Sequence, residues 1–228
     1  MTHTLKSISL LATLGTLAAC GGAGTVEPGV DEPTPPTITS SNVASARSFI
    51  TGVNNRRDTP TTSILPGGTA TYTGEMVTGL TINGEDSVDG LIGDVSLTAQ
   101  LFLAGDDVTG TITNLHTLDG NTPVERLSGQ LTISGELDDG TKQMTSTISG
   151  QLNGVVGDGV GGDMNIAGTM NGRTQDTEIV TSIPNPIPLL PPISVTTYDE
   201  ATGIYGNASG SITGSETGSF SGTWAVSE

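Results

Sequence analysis

Few side chains in this sequence have the chemistry for catalysis. The 228 residues include two histidines and one cysteine. His3 lies near the N-terminus, and His116 lies at the end of a predicted strand with no thiol or second imidazole beside it, whereas a Ser-His-Asp triad or a histidine-bound metal needs several such groups. The acid pairs Asp106-Asp107 and Asp138-Asp139 would act in a carboxylate-based hydrolase only if they converged, but each lies in a predicted turn. We therefore expect no enzyme, no metal site and no cofactor.

The single cysteine, Cys20, marks a processing site. Cys20 ends the short run Leu17-Ala18-Ala19-Cys20, and this run stands at the end of an apolar stretch over 8–17. The region before that run carries Lys6, and the run is too short to span a bilayer as a helix, which is typical of a signal peptide. We expect residues 1–19 to be removed. An ordinary secretory signal, in which Cys20 is incidental, is the alternative.

The residues around Cys20 resemble the lipobox of bacterial lipoproteins. The resemblance implies cleavage before Cys20 and acylation of its sulfur, so that two or three acyl chains anchor the mature N-terminus. One chain holds a protein at a membrane only marginally and two or more hold it stably, so the lipid would be the only contact with the membrane. Gly21 stands where an inner-membrane retention signal has Asp, which favours the outer membrane, with the domain on the surface or the periplasmic face.

The chain is strongly acidic. It has 24 Asp and Glu against seven Lys and Arg, a formal net charge of −17. Such a surface repels phosphate backbones, so nucleic acid is not an expected partner, while a cationic ligand or a basic protein face would be attracted. Simple solvation of the surface is the alternative explanation of the acids. No second cysteine is available for an intrachain disulfide, so the fold must be held by burial and strand pairing.

Two segments precede the expected domain. Residues 20–43 are rich in Gly, Pro, Thr and Ser, with almost nothing to bury, which predicts a disordered linker. Residues 44–68 contain Arg47, Arg56 and Arg57 and are interpreted as either an extended continuation of the linker or a latch on the domain. The remaining residues, 69–228, are enough for one core, so we expect one domain there.

Period-two alternation of apolar and polar residues predicts eight strands. In one of them Val95, Leu97 and Ala99 lie on one face, and Ser96 and Thr98 lie on the other. The strands are expected near 69–79, 91–103, 108–116, 126–137, 144–152, 162–170, 203–213 and 218–226. Turn residues over 138–140 and 214–217 indicate hairpins. Eight strands in a meander lose their edges only by closing, so the expected fold is all-β, an eight-stranded antiparallel up-and-down β-barrel.

Glycine recurs on the apolar faces of these strands. Gly168 lies between Ile166 and Met170, and Gly206 lies between Ile204 and Ala208. Inward glycine relieves crowding in a tightly coiled barrel, so the spacing predicts a narrow, filled interior and not a wide ligand cavity. Because aromatic residues are 3% of the chain and the outward positions are polar, a barrel that spans the outer membrane is not expected.

An apolar, proline-rich segment over 183–193 lies between the sixth and seventh predicted strands. Its prolines favour an extended backbone and cannot donate to a sheet. One interpretation is a strap that packs over one mouth of the barrel. The other is a pre-extended surface that binds a partner through Ile187, Leu189 and Leu190, because long ordered loops are often functional.

The last two predicted strands carry the residues Gly203-Ile204-Tyr205-Gly206-Asn207-Ala208 and Gly218-Ser219-Phe220-Ser221-Gly222. This pair resembles the C-terminal β-barrel domain of transferrin-binding protein B and related surface lipoproteins, and the segments 69–74, 93–98 and 108–112 fit the same pattern. Relatives bind transferrin, haem proteins or complement factor H through loops that differ between members. Because these loops differ between members, no binding residue is carried over. Ser209 and Gly210 depart from the family, which usually has an acidic residue shortly after the Ala of that strand.

The resemblance implies a lipid-anchored, non-catalytic outer-membrane lipoprotein. It would capture a host or environmental protein, such as an iron-carrying protein, or another iron-bearing ligand through the loops at one end of the barrel. The alternative is a structural or small-ligand carrier lipoprotein that faces the periplasm.

Overall fold

The computed structural model of the chain describes residues 38–63, 65, 67–82, 90–101, 107–156, 161–187 and 192–228. Those residues form one helix and ten strands, and the strands belong to a single antiparallel sheet. The elements are α1 (Ser40–Asn54), β1 (Arg57–Asp58), β2 (Gly68–Ile82), β3 (Gly90–Leu101), β4 (Asp107–Asp119), β5 (Thr122–Arg126), β6 (Ser128–Asp138), β7 (Gln143–Gly154), β8 (Gly162–Ile183), β9 (Ile193–Gly214) and β10 (Gly218–Ser227).

Eight of the strands form a closed ring. Each of β2, β3, β4, β6, β7, β8, β9 and β10 pairs with the next of these strands along the chain, and β10 pairs with β2 to close the ring. Strand β1 pairs with β8 outside this ring, and β5 pairs with β4. The predicted all-β class and the eight antiparallel strands are confirmed.

The interior of the ring holds one hydrophobic core. In β3, Val95, Leu97 and Ala99 are buried, while Ser96 and Gln100 are exposed, so the alternation places every second side chain inside. The largest fully buried members of the core are Leu65, Tyr72, Met76, Leu97, Ile112, Leu115, Leu131, Ile133 and Trp224. Full burial of such a side chain contributes about 1.5–3 kcal/mol each, so this core is the main source of stability.

Glycine lets β8 and β9 approach each other closely. Gly172 lies opposite Gly206 in the register of the two strands. A Cβ on Gly206 would overlap the carbonyl oxygen of Asn171, and a Cβ on Gly172 would lie 2.7 Å from Cζ2 of Trp224. The indole of Trp224 thus occupies the space that a side chain at residue 172 would need, and the backbone of β8 occupies the space at residue 206.

The helix α1 covers part of the outer face of the ring. Its buried residues Val43, Ala46, Ile50 and Val53 share one helix face and pack on a second, smaller core cluster. That cluster includes Val77, Ile92, Leu118 and Ala225, one from each of β2, β3, β4 and β10. The helix begins at Ser40, within the predicted linker 20–43. Residues 44–54 are therefore helical, so the interpretation of 44–68 as an extended segment is wrong for them. The alternative interpretation, a latch on the domain, fits their packing on the ring.

The rest of the 44–68 segment also joins the folded domain. The backbone N–H of Thr59 donates to the carbonyl oxygen of Thr174 over 3.0 Å. Leu65 is buried in the core inside the ring. This segment therefore contributes a side chain to the interior of the ring.

Strands β8 and β9 are about twice as long as predicted. The predicted strands near 162–170 and 203–213 are the parts that lie in the ring. Strand β7 pairs with β8 as far as Arg173, and beyond this point residues 177–183 of β8 pair with residues 193–199 of β9. We call this two-stranded extension the ribbon. It was missed because its side chains do not alternate between an apolar and a polar face.

Candidate binding site: the ribbon

One face of the ribbon carries most of its aliphatic side chains. Ile179 lies opposite Thr197, Thr181 opposite Val195, and Ile183 opposite Ile193, and directly opposite residues share a face. Ile179, Ile183 and Ile193 are exposed, and Val195 is half-buried. Exposed contiguous aliphatic side chains are typical of a surface that meets another molecule.

The other face of the ribbon is also exposed. Val180 lies opposite Thr196, and Glu178 lies opposite Tyr198. The side chain of Val180 is 60% exposed, and Tyr198 is exposed as well. Neither face of the ribbon is therefore covered by the described part of the chain.

A buried carboxylate, that of Asp176, fixes the root of the ribbon. Its Oδ2 accepts from Nη2 and Nε of Arg57 over 2.6 and 3.2 Å. Its Oδ1 accepts from the hydroxyl of Thr59 over 2.5 Å and from the backbone N–H of Ala201 over 3.2 Å. Because the strand register shifts between Gln175 and Thr177, Asp176 sits at the irregularity where the ribbon leaves the ring.

Arg57 joins the root to the ribbon. Its guanidinium lies 3.7 Å from the centre of the Tyr198 ring while it also bonds Asp176. Such a cation–π contact contributes about 0.5–1 kcal/mol at an exposed site. Arg57 and Asp176 thus hold the ribbon in one direction relative to the ring.

Of the three residues predicted to bind a partner, Ile187 lies at the tip of the described ribbon. Ile187 is 59% exposed, and its backbone N–H donates to Oδ1 of Asn185 over 3.0 Å. Leu189 and Leu190 lie outside the described residues. Since Ile183, Ile187 and Ile193 are all exposed, the described part of the segment does not pack over the ring as a strap.

The described acids of the two predicted pairs lie in separate places in the sheet and do not form one site. Asp107 begins β4, and Asp106 lies outside the described residues. Asp138 and Asp139 form the predicted turn between β6 and β7. The backbone N–H of Thr141 donates to Oδ1 of Asp138, and this bond holds the pKa of the Asp138 carboxyl below its usual range. Asp139 accepts from the buried Nζ of Lys142 over 2.6 Å, so these acids serve the turn.

His116 is not at a strand end, as predicted, but inside β4, which continues to Asp119. It is buried, and its Nδ1 lies 3.0 Å from the carbonyl oxygen of Asn114. Within the described residues, no three His, Cys, Asp or Glu side chains are grouped so that they could hold a metal ion. In that same part of the chain, no helix is long and apolar enough to cross a bilayer.

A groove of about 490 Å³ lies between α1 and the outer face of β2, β3 and β4. Phe49 forms part of its wall, and Glu75 and Asp94 lie directly opposite each other on β2 and β3. Burial, and then the nearby charge of Asp94, raise the pKa of Glu75 from its ordinary 4.5 to about 7. Like charges in direct register oppose strand pairing, so this acid pair weakens the fold.

Sequence reasoning located the tip of the ribbon but missed its root. Asp176 and Arg57 are 119 residues apart, and nothing in the local sequence links them. The β-branched residues over 177–183 and 193–197 were a usable signal, because such runs favour strands even without alternation. Their exposure on both faces could not be read from the sequence, because it depends on whether another element packs over the ribbon, and none of the described elements does.

Comparison of the chain with protein-family models, with curated proteins and with solved structures gives no match in any of the three searches. The inference of function consequently rests on the ribbon, the ring and the N-terminal sequence.

Proposed function

We propose that this chain is a lipid-anchored, non-catalytic binding protein that captures a protein partner through the ribbon. The observation that carries the proposal is the ribbon itself. It exposes aliphatic side chains on both faces, and Arg57 and Asp176 hold it rigidly at the root. Two isolated strands are only marginally stable in water, so a ribbon with this composition gains most from a partner that covers it.

The charge of the ribbon indicates the kind of partner. Residues 177–199 include the acids Glu178 and Asp199 and contain no Lys or Arg. The whole chain carries a net charge of −17. A protein with an apolar patch bordered by Lys or Arg complements both properties, and the long-range field would accelerate its association.

The ring is the scaffold in this proposal. We take it to be a small β-barrel whose interior is filled by core side chains such as Tyr72 and Trp224. A filled interior favours recognition through the ends and outer surface over a ligand held inside. The glycine-rich pair β9 and β10 supports the likeness to the barrels of transferrin-binding lipoproteins, and with it an iron-carrying protein as the first partner to test.

Anchoring follows from the N-terminal sequence. In the proposal residues 1–19 are a signal peptide, Cys20 is acylated, and the following linker holds the ring away from the outer membrane. Both residues 1–19 and Cys20 lie outside the described residues. Mass spectrometry of the protein purified from its own membrane would detect acylation of Cys20. Loss of the acyl mass in the Cys20→Ser variant tests the proposed anchor independently of partner binding.

The partner is tested by capture from serum. The full chain carrying Cys20→Ser is immobilised and exposed to serum and, separately, to iron-loaded transferrin. We expect a retained protein, and we expect the double variant Val180→Ser and Ile187→Ser to lose at least tenfold of that binding, because it removes two exposed aliphatic side chains from the ribbon.

The matched control is Val124→Ser, which removes a 65% exposed valine from β5 and should bind normally. Equal binding by the ribbon variant and the parent would overturn the role of the ribbon. If nothing is retained and added protease cannot remove the domain from intact cells, a structural or carrier role at the periplasmic face replaces the proposal.

A further inference from the structure

A second groove, distant in sequence from the ribbon tip, lies on the outer face of the ring. It has a volume of about 380 Å³ and is formed where β7, β8 and β9 meet the C-terminal end of α1 and strand β1. This volume falls in the usual range of small-molecule sites, roughly 300–1,000 Å³. Side chains that line the groove include Gln143, Asn171, Arg173, Gln175, Tyr205 and Asn207. We call it the amide groove.

The strand register places these side chains in two adjacent rows. Gln143 lies opposite Arg173, which lies opposite Tyr205. In the next row Asn171 lies opposite Asn207. Neighbouring strands are about 4.8 Å apart, so the side chains of each row are evenly spaced across three paired strands on a rigid backbone. Gln143, Asn171 and Asn207 are exposed, and each of their amides offers two donors and one acceptor to a ligand.

The charges in the amide groove are already paired. Oδ2 of Asp58 lies 3.1 Å from Nη1 of Arg173. Oδ1 of the same carboxylate accepts from Nε2 of Gln175 over 2.7 Å. A cationic ligand is disfavoured because the carboxylate of Asp58 is already paired. An anionic ligand is disfavoured because the chain has a net charge of −17 and would repel it. The groove suits a neutral ligand.

Two polar atoms at the groove have no partner. Gln175 is 2% exposed, and its Oε1 is buried without a hydrogen bond to any described residue. Nε of Arg173 is also buried and makes no hydrogen bond to any described residue. One is an acceptor and the other a donor, and a buried polar atom without a partner costs about 1–3 kcal/mol. A hydroxyl group both donates and accepts, so hydroxyl groups match an unpaired acceptor and an unpaired donor alike.

We infer that the amide groove binds a neutral, polyhydroxylated ligand, that is, a sugar residue. Exposed amides in register supply hydrogen bonds to several hydroxyls, and the half-buried ring of Tyr205 supplies an apolar wall for the C–H face of a sugar. The backbone of Gly172 and Gly206 forms part of the floor between these outward side chains. The inference is independent of the ribbon and of the proposed partner protein.

Saturation-transfer NMR tests the inference directly. The probes are D-glucose, D-galactose, D-mannose and N-acetylglucosamine, each also as its trisaccharide, with the full chain carrying Cys20→Ser. We expect saturation transfer to at least one of them. If the monosaccharide binds as tightly as its trisaccharide, the ligand is a free sugar; if the trisaccharide binds much better, the ligand is a residue within a polysaccharide.

Paired variants assign the binding to the amide groove. Gln143→Ala with Asn171→Ala should weaken binding about tenfold or more, since both amides line the groove. The control, Gln151→Ala with Asn165→Ala, removes the same two exposed residue types from the same strands outside the groove and should bind like the parent. Equal behaviour of the two double variants, no saturation transfer to any probe at millimolar concentration, or binding of inorganic phosphate in place of sugars would each overturn the inference.

Discussion

The ring and the ribbon use the same kinds of residue under opposite conditions. Leu131 and Ile133 in the ring are at most 1% exposed, whereas Val180 in the ribbon is 60% exposed. Every ring strand pairs on both sides, while each ribbon strand pairs with the other alone. The aliphatic residues of the ring therefore stabilise the fold, whereas those of the ribbon contribute little to the stability of the chain by itself.

The free energy of burial makes the contrast quantitative. A buried Ile or Leu contributes roughly 1.5–3 kcal/mol, and an exposed one contributes only the fraction of its surface that neighbours cover. Thr, Ser or Lys would serve an exposed ribbon equally well, since charged and polar side chains protect exposed strand edges from other chains. The aliphatic composition of the ribbon is therefore better explained by contact with a partner than by stability.

The largest contrast is expected from a change in the closest packing of the ring. Gly206→Ala should lower the free energy of unfolding by about 3 kcal/mol or more, because the new Cβ overlaps the backbone of β8 at Asn171. Urea unfolding followed by circular dichroism measures the loss. Ser209→Ala, at an exposed position of the same strand, should stay within about 0.5 kcal/mol of the parent. A Gly206→Ala variant as stable as the parent would mean that β8 and β9 are not held in close contact.

A smaller effect is expected at the root, where ring and ribbon meet. Asp176→Asn removes the charge that Arg57 pairs with and should cost about 2 kcal/mol, since a hydrogen bond to a charged group is worth roughly 1.5–3 kcal/mol. Hydrogen exchange should become faster at residues 177–183 and 193–199 than in β3 or β6, because the ribbon loses its fixed direction. The control Asp199→Asn changes an exposed carboxylate opposite Thr177 and should leave exchange unaltered. Uniform acceleration across the sheet would show that Asp176 stabilises the ring as a whole.

These two regions also differ in how far sequence predicts them. The ring was predictable because each strand has a core on one side, so alternation such as that of Val95, Leu97 and Ala99 records which face is buried. The turn at Asp138 was predictable from its own residues. Neither signal exists for the ribbon, because both of its faces are exposed, and its length was therefore missed. Its tip at Ile187 was singled out only because the segment 183–193 is rich in proline.

Long-range pairing accounts for what remained hidden. The bond between Arg57 and Asp176 and the packing of α1 on Val77 and Ala225 depend on closure of the ring, which brings distant segments together. The helix itself was hidden by composition. Ser and Asn over 40–42 suggested linker, although Thr39 and Asn42 form the N-terminal hydrogen bonds of a helix.

The smallest change in stability is expected at Glu75, on the outer face of the ring, and it should depend on pH. Glu75 has a raised pKa of about 7, so the folded state binds its proton more tightly than the unfolded state does. Ionisation of Glu75 therefore weakens the fold as the pH rises from about 4.5 to 7, and the penalty stays constant above that range. Glu75→Gln should match the parent at pH 4 and exceed it by about 1 kcal/mol at pH 8, a figure reduced for solvent screening of a half-buried group.

Urea unfolding at several pH values checks the sign of this effect. Asp94→Asn should give part of the same gain, because it removes the charge opposite Glu75. Ser96→Ala, an uncharged change in the same groove, should follow the parent at every pH. If Glu75→Gln shifts stability equally at pH 4 and pH 8, neither burial nor the charge of Asp94 penalises the ionised form of Glu75 in the groove. If the gain is confined to high pH, ionised Glu75 lowers the stability of the ring, so this part of its outer face weakens the fold, whereas the exposed aliphatic residues of the ribbon only contribute little to it.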